Sequence, residues 1–110
     1  MKDNEVQLDQ LPIPEPALRD PTAIEMLRVW IAERGLHCSL HVGMYMERKN
    51  VSEEAAWGKI LSDAARHLAD ALHEEYGADL AESLALIEES FVRNLANPES
   101  PTRGGFVGRH

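Results

Sequence analysis

Four polar residues fall in step along one stretch of the chain. Asp63, His67, Asp70 and Glu74 follow intervals of four, three and four, and His73 lies beside them. Side chains three and four apart share a helix flank. Two carboxylates and an imidazole placed in this way have the donor types that hold a cation. Dedicated metal sites, however, draw ligands from more than one element. Asp70-Ala71-Leu72-His73 is a lone carboxylate-x-x-His, where a di-iron bundle needs two such motifs. The next helical pattern offers Glu82, Glu88 and Glu89 but no histidine. The expected state of Asp63, His67, Asp70 and His73 is therefore a solvated flank with weak i,i+4 support. No metal or other cofactor is expected.

A second group lies earlier. His37 and His41 share one side of an alternating segment, and Arg28 and Trp30 share one side of the alternating segment before it. Imidazole titrates near neutrality, so such a face can do acid–base work or bind an anion. Trp and Arg are also enriched where protein surfaces meet. An interface is the favoured reading for Arg28, Trp30, His37 and His41. Cys38 points to the opposite side from His37 and Ser39, so no base is aligned with its thiol. It is read as a small apolar residue. No phosphate-cradling glycine loop, CxxC pair, HExxH or GxSxG is present. No catalytic residue is assigned, and enzymatic activity is not expected.

The elements that position these residues follow from periodicity. Residues 24–33 and 36–42 alternate in the manner of strands. A turn at Arg34-Gly35, with glycine supplying positive φ, or a slightly longer loop, makes them an antiparallel hairpin. Ile31 then opposes Cys38, Val29 opposes Leu40 and Leu27 opposes Val42 on one apolar face. On the other face Arg28 opposes His41 and Trp30 opposes Ser39. Met44, Tyr45 and Met46 form a short third strand or a loop. A lone hairpin is marginal in water and leaves open edges, so a third strand or edge pairing across a homodimer is expected.

Ser52 to Tyr76 reads as the central helix. Asn50 or Ser52 caps it, Glu53 and Glu54 complement its dipole, and Gly77 stops it. Its stripe of Trp57, Ile60, Leu61, Ala64, Leu68, Ala71 and Leu72 is aimed at the apolar face of the hairpin. Gly58 reads as a point of close approach by another segment. Asp79-Leu80-Ala81-Glu82 is a capping box for a second helix, striped by Leu80, Leu84, Ile87, Phe91 and Leu95 and ended by Asn97-Pro98. The short connection makes the two helices antiparallel. The expected fold is α+β: an antiparallel β-hairpin packed on a two-helix hairpin. One domain spans 1–98, with a proline-rich extended arm over 1–23, and 99–110 is a flexible tail.

Bulk composition narrows the function classes. The 110 residues allow one domain, and 44% apolar content is ordinary for a globular chain. Net charge is −8, and residues 1–99 carry all 19 acidic groups but only nine of the 11 Lys and Arg, so the body is nearer −10. That field repels phosphate backbones and anionic lipid, and no basic run exceeds Arg48-Lys49. Neither nucleic acid nor membrane is an expected partner. One cysteine rules out an intrachain disulfide and fits a reducing compartment. No signal-peptide pattern and no spanning apolar run is seen, which points to the cytoplasm.

Leu11-Pro12-Ile13-Pro14, Glu25-Met26-Leu27-Arg28-Val29-Trp30-Ile31-Ala32, Gly35-Leu36-His37-Cys38-Ser39-Leu40 and Ala56-Trp57-Gly58 with Leu61, Asp63, Arg66 and His67 form a recognisable set. Over residues 11–98 the chain resembles a family of small bacterial proteins classed as a domain of unknown function. The resemblance implies a compact unit and brings no activity, cofactor or catalytic residue. The expected function is that of a small acidic binding or assembly module. It self-associates as a homodimer, or meets a protein partner, through the histidine-bearing sheet face. The alternative is a ligand- or metal-binding regulator using the Asp/His flank.

Overall fold

A computed structural model describes residues 7–46, 50–101 and 103–108. Residues 1–6 of the arm, Arg48-Lys49 and Arg109 lie outside the described residues. The order of elements is α1 (Glu15–Arg19), β1 (Leu27–Ala32), β2 (Gly35–Val42), α2 (Glu53–Tyr76), α3 (Leu80–Ala96) and β3 (Arg103–Gly108). The fold class is α+β, built from a β-hairpin, a third strand and a two-helix hairpin, as the periodicity predicts.

The helix ends are set by local chemistry. The Ser52 side chain accepts the Ala55 amide at 3.0 Å, and Asp79 accepts the Glu82 amide at 2.9 Å. Each meets one of the donors that a helix start leaves free. Gly77 closes α2 in the left-handed region at φ 74°. Its N–H reaches the His73 carbonyl, and the Ala78 N–H reaches that of Leu72.

The hairpin differs from expectation in register. Its turn is Glu33-Arg34, at φ 49° and 66°, and Gly35 is already in β2. Two positive φ values mark a type I′ turn, whose twist matches that of the strands it joins. Leu27 pairs with Leu40, Val29 with Cys38 and Ile31 with Leu36. The pairing is shifted by two residues from the expected one. A shift of two preserves the side-chain alternation, so both faces keep their residues while every partner changes.

The arm is not extended throughout. Pro14 caps α1, and Pro16 lies in its first turn, where a missing N–H costs nothing. Met44 to Met46 form a turn rather than a strand. The third strand is instead β3, from the segment expected to be a flexible tail. It lies parallel to β2, with Leu40 beside Phe106 and His41 beside Val107, giving the sheet order β1-β2-β3. The open edge of β2 offers unpaired backbone groups, and backbone pairing orders β3 although all six of its residues stay exposed.

Burial is the largest departure. The most enclosed residues are Ala56, Ala69 and Ser83, and no large side chain is fully buried among the described residues. Helices α2 and α3 pack on one another, while the sheet joins them chiefly at the first turn of α2. The apolar sheet face is therefore not sealed beneath the central helix. Val29 is 50% exposed and Ile31 82%. The expected stripe of α2 is not the buried face either: Leu61, Ala64, Leu68 and Ala71 are exposed, and the buried positions of the helix are Ala56 and Ala69. The accessible area of the chain is 9903 Å². A folded monomer of this mass shows roughly 6,100 Å². The radius of gyration is 16.7 Å, against about 13 Å for a compact chain of similar length.

Candidate functional site

Arg28, Trp30, His37 and His41 do share one face of the sheet. The register places Trp30 directly opposite His37 and Arg28 opposite Ser39, rather than Trp30 opposite Ser39 and Arg28 opposite His41. The Arg28 guanidinium is turned to Glu25, donating through Nε at 3.0 Å and Nη2 at 2.9 Å. Trp30, His37 and His41 are half-buried. Two ring nitrogens, His37 Nε2 and His41 Nδ1, are enclosed without a hydrogen-bond partner among the described residues. Buried polar atoms are normally paired, so these two mark the face as unfinished in the single chain.

Arg103 joins this group from β3, level with His37. A Cβ on Gly35 would lie 3.0 Å from Arg103 Nη1 and 3.8 Å from His37 Nε2. The absent side chain of Gly35 leaves the space that the guanidinium occupies. Sequence alone assigns Arg103 to the tail and gives no sign of this placement.

Glu53 anchors the other end of the face. Its carboxylate accepts the Gly43 amide at 2.8 Å, the Tyr45 amide at 2.8 Å and the Trp57 indole N–H at 3.1 Å. The hydrogen bond from Gly43 leads the causes that hold its pKa below the ordinary carboxylate value. Those from Tyr45 and Trp57 and the nearby His41 act the same way, against desolvation. From sequence, Glu53 reads only as a first-turn acid. Two of its partners are backbone amides, which no side-chain pattern reveals. The i,i+4 spacing to Trp57 is the one available signal. Trp57 thus joins the helix start to the end of the hairpin. Gly58 faces open space, and a Cβ added there would meet no atom within 4 Å. It is not a point of close approach within the described residues.

The central-helix flank is solvated. Asp63 pairs with Lys59 at 3.1 Å, and both are exposed. His67, Asp70 and Glu74 are exposed. His73 Nδ1 lies 2.9 Å from the Ala78 carbonyl, which can only accept, and this contact ties the ring to the end of α2. Among the described residues no three His, Cys, Asp or Glu are grouped to hold a metal ion. Cys38 is half-buried on the aliphatic face beside Val29.

A hollow of about 550 Å³ runs along the edge of β1, between Leu11 and Ile13 of the arm and Leu27 and Trp30 of the strand. No described helix is long and apolar enough to cross a membrane.

Residues 10–99 match the family DUF5076, a domain of unknown function, and the chain belongs to that family. Strand β3 lies beyond the matched residues. A solved structure provisionally described as a pyruvate dehydrogenase, from the photosynthetic bacterium Rhodopseudomonas palustrus, is 28% identical. It superposes with a TM-score of 0.62 over 86% of this chain and 91% of that one. No curated protein matches the chain.

Proposed function

We propose that this domain is a non-enzymatic assembly module whose working form is a homodimer. Its recognition surface for a protein partner is the sheet face carrying Arg28, Trp30, His37 and His41. One observation carries the reading: a chain with an ordinary apolar content encloses no large side chain among the described residues. Fully burying a Leu, Ile or Phe contributes about 1.5–3 kcal/mol each, so a chain that leaves them partly open gains the remainder of that term only by association. The two unpaired ring nitrogens support cover over the histidine face. The activity named for the 28% identical neighbour is not carried over, because no nucleophile and base are paired in the site described.

Light scattering on a size-exclusion column at high micromolar concentration tests the reading. A dimer is expected. A monomer with intact helical circular dichroism would overturn it.

A further inference from the structure

The outer edge of β1 is an open row of backbone groups. The His41 amide donates to the Met26 carbonyl at 3.0 Å, one step beyond the Leu27–Leu40 pair. In an antiparallel ladder, directly bonded pairs alternate with unbonded ones. Arg28, Trp30 and Ala32 therefore turn their backbone groups to β2, and Leu27, Val29 and Ile31 turn theirs to the free side. No backbone bond from another described segment meets these groups.

The arm lies along this side without closing it. Leu11 and Ile13 line the hollow of about 550 Å³ beside β1, yet they stay 86% and 56% exposed. Pro12 and Pro14 have no N–H to give. The hollow thus has a ladder of unpaired donors and acceptors as one wall and an apolar arm as the other. Both faces of the strand reach it, through Leu27 and Val29 on one and Arg28 and Trp30 on the other. An added strand needs that span, because its own side chains alternate between the same two faces.

Charge selects the occupant. Among the titratable groups lining the hollow, Glu25 and Arg28 neutralise one another at 2.9 Å, leaving Asp9 as the net charge. Residues 1–26 hold six acidic groups against two basic ones. A cationic segment is drawn to this side, while a second copy of the chain, at net charge −8, brings the repelling sign.

We infer that an extended, basic segment of another protein adds to the sheet at the free edge of β1, between the strand and the arm. Its backbone pairs with Leu27, Val29 and Ile31. Its apolar side chains fill the hollow, and its lysine or arginine residues meet the acidic arm. The inference rests on the reading of this domain as a binding module, not on its homodimer, and it extends recognition from the histidine face to the strand edge beside it.

The probe is an end-blocked octapeptide of alternating valine and lysine, labelled and titrated with the full chain by fluorescence anisotropy. Saturable binding is expected. Val29→Pro removes one outward N–H and no bond to β2. It is expected to raise the dissociation constant at least about tenfold with circular dichroism unchanged. The same peptide with glutamate in place of lysine is expected not to bind. If Val29→Pro fails to fold, amide exchange in the wild type decides, because the Val29 and Ile31 amides should slow about tenfold or more with the lysine peptide bound. Absence of binding, equal binding by a folded Val29→Pro, or unslowed exchange at Val29 and Ile31 overturns the edge site. Equal binding of the glutamate peptide overturns the basic occupant. Light scattering on the same samples reads the oligomer separately, so a monomer that binds the peptide refutes only the homodimer, and a dimer that does not bind it refutes only the edge site.

Discussion

The Glu53 carboxylate accepts the Gly43 amide at 2.8 Å, and this contact ties the central helix to the end of the hairpin. The same group caps the Tyr45 amide and the Trp57 indole. One side chain thus orders a strand end, a turn and an aromatic ring. Its pKa is lowered, so the stabilisation it gives is fully present above the ordinary carboxylate value of 4.5 and is lost as pH falls through the lower folded-state value. Urea midpoints measured between pH 6 and pH 3 should fall in wild type across that window. Glu53→Gln should be less stable than wild type at pH 6, and the gap should narrow toward pH 3. Parallel curves at all pH values would show that the carboxylate has no such role.

Gly58→Ala should stabilise the protein. The position is inside α2, and an added Cβ meets nothing within 4 Å. Replacing glycine by alanine in a helix interior gains about 0.8–1 kcal/mol. Differential scanning calorimetry should show a rise in Tm of roughly 4 °C or more. A fall would mean that another chain presses against that side of the helix.

Gly104→Ala should detach β3. Gly104 sits at φ 121°, and a Cβ there would overlap the Cys38 carbonyl. Strain of this kind costs about 1–3 kcal/mol even before the overlap is counted. Amide exchange in β2 should speed up by about tenfold or more, while α2 and α3 keep their protection, because β3 buries no side chain. Unchanged exchange in β2 would place β3 elsewhere.

The two long helices were legible in the sequence because their ends are written in single residues. Ser52, Gly77 and Asp79 each perform the capping role that their types imply. The two faces of the hairpin were legible for a similar reason, since alternation survives a shift of two. The partners across it were not. Glu33 and Arg34 adopt positive φ without being glycine or asparagine, so the turn carried no local mark and Gly35 drew it one residue too late. Strand β3 was hidden because three of its six residues are glycine and backbone alone holds it. Arg103 was lost with it. The stripes of α2 and α3 correctly announced apolar surface, but periodicity does not say what will cover that surface.

The parallel pairing of β2 with β3 also bears on the order of assembly. The hairpin and the helical pair each form from neighbours in the chain, with little entropy spent on closure. The last strand must find Cys38 and Leu40 after both helices have intervened. Contacts between such distant segments form late. The sheet is therefore finished by its least secured member, and its outer edge stays open to other strands until that step is complete.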